Sequence, residues 1–192
     1  MGNSNTPHDG LMLRQATADD AVAIAQMHID SWRSAYREIL DPAYLAGPIE
    51  QERREVWTAR FAQPNAEMAV TLAEDAAGPI GFVCTFGNDD PVWGAMVDNL
   101  HVLPRAKGRG VGRALLASAG RWAASRYPGA GLYLWVFEAN EAARRFYDRM
   151  GGVVVERMLE PVTGGGESFS LRYAWRNPAL LQASTKGEEP AA

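Results

Sequence analysis

One cysteine, Cys84, in a chain of 192 residues excludes an intrachain disulfide and argues against a cysteine-based zinc site, so no metal and a reducing, cytoplasmic setting are expected. No apolar run approaches the ~18 residues that would suggest a membrane span. The start of the chain, Met1 to Gly10, has neither a basic leader nor an apolar stretch, so no secretory signal is expected. Internal repeats are absent, and no long Ser/Pro linker divides the chain. Residues 99–137 contain no acid at all. What is present, 47% hydrophobic and 22% charged residues, suits one soluble globular domain with a real core and excludes a disordered, collagen-like or disulfide-stapled protein.

The net charge of −4 hides an uneven distribution. Residues 1–98 hold 15 acids against 6 bases, and residues 138–192 hold 8 against 7. The acid-free window between them carries six bases: Arg105, Lys107, Arg109, Arg113, Arg121 and Arg126. A basic patch in an acidic protein suggests a site for a small anion; an Arg-rich solvated helix face is the plainer alternative. No nucleic-acid partner is expected, because the acidic remainder would repel a long polyanion.

Periodicity gives one α/β order. Leu11 to Ala16 is a strand, and Thr17 with Asp20 is an N-cap signal for a helix running to about Ile39, where Asp41-Pro42 stops it. A second helix runs from Pro48 to about Gln63, before Pro64-Asn65. Ala69 to Ala73 and Ile80 to Phe86 form a hairpin, Asn88 to Pro91 a loop, and Met96 to Leu103 a third strand. A helix over Gly110–Tyr127, a strand over Leu132–Phe137 and a short helix over Asn140–Met150 follow. Two last strands, Val153 to Leu159 and Ser168 to Trp175, are joined by a glycine-rich turn. Residues 11–176 are expected to form the domain, with residues 1–10 and 177–192 as flexible tails.

Between the third strand and its helix lies Pro104-Arg105-Ala106-Lys107-Gly108-Arg109-Gly110-Val111-Gly112-Arg113. Each glycine inside a helix costs ~1 kcal/mol relative to alanine, so glycines opening a good helix need a reason. Without Cβ atoms a ligand can approach the backbone, and the free N–H groups of the first turn can meet an anion. Lys107, Arg109 and Arg113 add charge at the same point. A P-loop would need Ser or Thr after Gly-Lys, and the dinucleotide fingerprint would need a third glycine where Arg113 stands. A tight strand-to-helix turn would account for one or two of the glycines, not for three with flanking bases.

This stretch resembles the acetyl-CoA motif of the GNAT superfamily of N-acetyltransferases, Arg/Gln-x-x-Gly-x-Gly/Ala, with Lys107 where the family favours arginine or glutamine. Asp98 to Pro104, Leu132 to Phe137 and Asn140 to Tyr147 resemble the family's fourth strand, fifth strand and following helix. The resemblance covers most of residues 11–175. It implies a single-domain α/β (α+β) fold, a mixed, mostly antiparallel twisted sheet flanked by helices. It also implies acetyl-CoA as cosubstrate and an amine-bearing acceptor as partner, with transfer by direct attack, and a homodimer is compatible with it; from the lack of a long apolar run, no membrane partner is expected.

Residue by residue, the resemblance implies backbone contacts to the pantetheine arm from Leu100, His101, Val102 and Leu103. The diphosphate would lie against Lys107, Gly108, Arg109, Gly110, Val111, Gly112 and Arg113. Asn140 would hold the arm or a bound water, its plainer role being an N-cap. Tyr147 would protonate the leaving sulfur, its plainer role being packing beside Phe146. Asp98 is the nearest carboxylate to the thioester by sequence and a candidate base; strict alternation would aim it at packing, and a β-bulge would redirect it. Buried Cys84 is expected to be core rather than nucleophile. The acceptor cleft would draw on Trp32 and Tyr36, with Tyr44, Phe169, Tyr173 and Trp175 as further rings and Asp30, Glu38 and Asp41 as acids, a set suited to a cationic amine. The competing readings are a non-catalytic acyl-CoA sensor and, more weakly, a dinucleotide-binding oxidoreductase.

Overall fold

The computed structural model describes residues 10–63 and 65–181. Most of both expected tails, residues 1–9 and 182–192, and Pro64 of the expected helix stop lie outside the described residues. Seven strands form one sheet in the order β1-β2-β3-β4-β5-β7-β6. They are β1 (Met12–Gln15), β2 (Met68–Asp75), β3 (Gly78–Asp90), β4 (Gly94–Val102), β5 (Leu132–Phe137), β6 (Val153–Pro161) and β7 (Glu167–Trp175). Every neighbouring pair is antiparallel except β4 with β5, which is parallel. This mixed order is not the parallel, doubly wound sheet of a dinucleotide-binding oxidoreductase.

Helices cover both faces. On one, α4 (Val111–Arg126) buries Val111, Leu115, Leu116, Ala119 and Ala123, a 3.6-residue stripe, against β-strand residues such as Ile80, Val83 and Leu134. The short α5 (Glu141–Arg149) adds Ala143, Phe146 and Tyr147 to the same core. On the other face α1 (Ala21–Ala35) and α3 (Pro48–Ala62) enclose Ile24, Met27, Trp57, Leu72, Phe82 and Cys84. The Thr17–Asp20 capping box forms, with the Thr17 amide donating to Asp20 at 2.8 Å.

Four local expectations are corrected. The first helix ends at Ala35 rather than Ile39, because the chain turns at Tyr36; Tyr36, Ile39 and Leu40 stay apolar by packing on Ile29, Leu45 and Ile49. Asp41-Pro42 does more than stop a helix: the Asp41 carboxylate accepts from the amides of Ala43 (2.7 Å) and Tyr44 (3.1 Å) and starts α2 (Pro42–Ala46). The expected loop at Asn88–Asp90 is the end of β3, tethered by Tyr133 to Asp89 and by Arg172 to Asp90 at 2.9 Å. Residues 177–181, expected to begin a tail, dock on α4. Leu181 is buried there, and a Cβ on Gly120 would lie 2.5 Å from the Pro178 carbonyl oxygen, so only glycine admits that approach.

Candidate active site

The site follows from a failure of strand pairing. β4 and β5 meet only at Ala95 with Leu132 and Met96 with Tyr133, after which the two strands part. On its other side β4 pairs with β3, Cys84 facing Asn99 and Thr85 facing Val97, so Asp98 is the extra residue of a bulge. A cavity of about 550 Å³ opens in the gap between Leu100–Val102 and Leu134–Val136. Of the residues singled out from sequence, it brings together Trp32, Tyr36, Asp98, Leu100, His101, Val102, Lys107, Gly108, Gly110, Val111, Gly112, Arg113, Asn140 and Tyr147.

Two expected cofactor residues do not line it. Leu103 packs toward the Cys84 core, and its amide already donates to the Ile80 carbonyl at 2.9 Å. Arg109 turns away to Asp75 at 3.1 Å, as Arg105 does at 3.3 Å, so two of the six bases in the acid-free window are held by an acid from elsewhere. The Asp75 carboxyl is held below its usual range, first by the Ala77 amide and then by these arginines. Lys107 and Arg113 remain beside the cavity.

At the glycine turn, Gly108 (φ +78°) and Gly110 (φ +79°) both occupy the left-handed region, and a Cβ on either would meet nothing within 4 Å. Backbone conformation thus favours glycine there, while the space beside it stays open. The first bond closing α4 runs from the Ala114 amide to the Gly110 carbonyl at 3.0 Å. Among the described residues, the amides of residues 108–113 find no backbone acceptor. This open, positively polarised cradle fits a diphosphate.

At the other end, Asn140 caps α5, its side-chain oxygen accepting from the Ala143 amide at 3.2 Å. Tyr147 is 8% exposed, with its ring among Phe146, Tyr173 and Trp175. Its hydroxyl has no hydrogen-bond partner among the described residues. Burial, with a smaller contribution from Tyr36, pushes its phenol well above the usual value.

Asp98 is the one carboxylate lining the cavity among the described residues, and it is paired with Arg60 at 2.7 Å. The same guanidinium reaches Asn99 at 2.9 Å and covers Trp57 and Phe86. His101 Nδ1 shares a 2.9 Å hydrogen bond with the Ser31 hydroxyl, and both residues line the cavity. Its ring lies 4.6 Å from that of His28, whose Nδ1 accepts from Trp57 at 3.1 Å and whose buried Nε2 has no partner. Cys84 is core, as expected; burial pushes its thiol up to about 12, which removes it as a nucleophile at neutral pH.

Burial, followed by Lys107 and Arg53, pushes His101 down to about 3, and burial with His101 and the nearby arginines lowers His28 further. Both rings therefore stay neutral in the fold but protonate near pH ~6.5 in the unfolded chain. Their contribution to stability is whole above about pH 6.5 and is lost as the pH falls toward the folded value. The thermal midpoint is expected to drop across that window, and His101→Asn to flatten the drop; parallel curves for the two proteins would remove the ring as a cause.

On the acceptor side the expected set divides. Trp32 and Tyr36 line the cavity, their rings 5.3 Å apart, with Phe137 behind Tyr36. Tyr44, Tyr173 and Trp175 are buried in the cores, and Phe169 lies under Arg157 at 3.4 Å. Asp41 caps α2, Asp30 takes a hydrogen bond from Gln26, and Glu38 is exposed, so none of the three supplies the expected acidic wall. Sequence reasoning missed Ser31, which lines the cavity, and Arg60, which pairs with Asp98. Ser31 and Arg60 meet their partners across 70 and 38 residues of chain, and no local motif marks such pairs.

The family model described as acetyltransferase (GNAT) family matches residues 29–152. A probable N-acetyltransferase of Mycobacterium tuberculosis is 30% identical over 146 residues, which cover 72% of this chain and 78% of that protein. An uncharacterized N-acetyltransferase of Bacillus subtilis is 28% identical over 131 residues, 67% of this chain and 72% of the other. Among solved structures, the PaiA N-acetyltransferase of Thermoplasma acidophilum in complex with coenzyme A shares the fold. Its TM-score is 0.68 at 19% identity, over 86% of this chain and 99% of that one.

Proposed function

This chain belongs to the acetyltransferase (GNAT) family, and we propose that it moves an acetyl group from acetyl-CoA to a primary amine by direct attack within a ternary complex. The observation that carries this reading is the cavity in the β4–β5 gap, with unpaired amides at one end and Tyr147 lining the same space. Acetyl-CoA, once bound, brings a thioester as the acyl donor. The amides of residues 108–113 hold its diphosphate, with Lys107 and Arg113 adding charge. The backbone of Leu100, His101 and Val102 pairs with the pantetheine arm, and one of these N–H groups faces the thioester oxygen as charge gathers there. Asn140 uses its side-chain N–H for the arm while its oxygen caps α5.

Tyr147 donates to the sulfur as it departs. A phenol held above its usual pKa keeps its proton throughout the working range, so the donor is always charged with its hydrogen. Among the described residues its hydroxyl has no other partner, and a buried hydrogen bond to developing charge is stronger than one in water. The amine is the harder partner. An alkylamine of pKa ~10.4 lies ~3 units from neutrality at pH 7, roughly 4–5 kcal/mol of deprotonation. Asp98, at the bulge, takes this proton; its pair with Arg60 fixes the carboxylate in place and must loosen as the proton arrives.

Thiol release from acetyl-CoA across a panel of amines, for the wild type and Asp98→Asn, tests the scheme. Turnover is expected to rise with pH toward the amine pKa, and Asp98→Asn to lower kcat about 10–100-fold. Tight acetyl-CoA binding with no turnover on any amine would leave a sensor in place of an enzyme site. Equal rates for the two proteins would move the base elsewhere.

A further inference from the structure

The acceptor wall of the cavity has an unexpected sign of charge. Asp98, its one carboxylate among the described residues, is already matched by Arg60. A second guanidinium, that of Arg53 on α3, lies 4.9 Å from the centre of the Trp32 ring, a wall of the cavity. The Arg53 side chain is only 16% exposed, its Nε is buried without a partner, and no hydrogen bond from its guanidinium is found among the described residues. Its nearest carboxylate, Glu52, is 3.6 Å away, and the oxygen concerned already accepts from the Tyr44 hydroxyl at 2.8 Å. Arg53 does not line the cavity itself; it borders it through Trp32, and its charge acts on His101, which does line it.

A largely covered guanidinium whose Nε is buried without a partner among the described residues, and whose Glu52 contact is long, is costly unless an acceptor arrives to meet it. Its planar fork matches a carboxylate in two parallel hydrogen bonds. A purely cationic amine meets the opposite situation. Arg53 already holds the cation–π place on Trp32 and repels a second positive charge. We propose that Arg53, beside Trp32, is the subsite for a carboxylate carried by the acceptor, and that this enzyme acetylates amino acids or similar carboxylate-bearing amines. The assignment rests on the acetyltransferase reading above and names its acceptor class. Binding the carboxylate at Arg53 leaves the amine end of the same molecule to reach the thioester beside β4.

The test is a series of amino acids in which amine and carboxylate are separated by increasing numbers of carbons, each paired with its amide and its plain alkylamine. In the wild type the best acid is expected to exceed its amide and alkylamine in kcat/KM by about 10²-fold. Arg53→Gln should erase that preference through KM, with rates on the plain amines equal or higher and the thermal shift by acetyl-CoA retained. Arg53→Lys, which keeps the charge and loses the fork, should fall between, and it carries the test if Arg53→Gln does not fold. Amides or alkylamines that match the acids, or a preference surviving in the variants, would overturn the proposal. If acetyl-CoA stabilises the protein but no series member is acetylated or adds a thermal shift in the presence of CoA, the carboxylate subsite is wrong while the cosubstrate site stands. Absence of any shift by acetyl-CoA itself would overturn the cosubstrate site, and the acceptor assignment with it.

Discussion

Tyr147→Phe is expected to lower kcat by about 10²-fold while leaving the acetyl-CoA dissociation constant within about twofold. The ring is held by Phe146, Tyr173 and Trp175, and phenylalanine fills the same space. The lost hydroxyl has no partner among the described residues, so its removal orphans no neighbour and should not weaken the fold. What disappears is a donor needed only when charge collects on the sulfur, which is why the loss should appear in kcat. A thiol of pKa ~8.5 leaves fairly readily as thiolate, and this bounds the effect. Because burial raises the phenol, the wild-type rate should show no descending limb below about pH 10 from this group. Steady-state kinetics alongside calorimetric binding of acetyl-CoA measure both quantities. Unchanged turnover in Tyr147→Phe would remove the tyrosine from the chemistry.

Gly110→Asp is expected to weaken acetyl-CoA binding by about 10²-fold or more. The left-handed backbone at Gly110 costs a non-glycine residue roughly 1–2 kcal/mol, and aspartate tolerates it better than most. The space around its Cβ is empty, so no clash is added to that cost. A carboxylate at the start of α4 interacts favourably with the helix dipole and should offset part of the strain. The same carboxylate repels a diphosphate held by the adjoining amides. Stability and binding therefore part company, with a melting point near that of the wild type and a large loss in affinity by calorimetry. A wild-type affinity for acetyl-CoA in the variant would place the diphosphate away from this turn, and the proposed site would fall.

Both segments have a local geometry that is legible in the amino-acid sequence. The turn at Lys107–Arg113 is dictated by neighbours in the chain: left-handed glycines, a proline-led 3-10 turn at Pro104–Ala106 and an apolar stripe behind them. Asn140 and Tyr147, seven residues apart, share one helix and so face one cavity. Boundaries were less legible. The apolar period of α1 continues past Ala35 because Ile39 and Leu40 pack on the same cluster after the chain has turned. Polar composition in residues 183–190 concealed that Leu181, just before it, is an anchor.

By itself the sequence determined the order of strands and helices, the glycine turn that opens α4 and the pairing of Asn140 with Tyr147, because each depends on residues within a few positions of one another. Only the tertiary structure decided where β4 parts from β5, that Asp98 is a bulge held by Arg60, and that Asp75 withdraws Arg105 and Arg109 from the cavity. It likewise decided which aromatic rings became core and which became wall, and it set the Arg53 guanidinium against Trp32 while the expected acids lie elsewhere. A side chain's electrostatic partners and burial are set by segments brought together in space, often from tens of residues away, and no local pattern in the chain records those encounters.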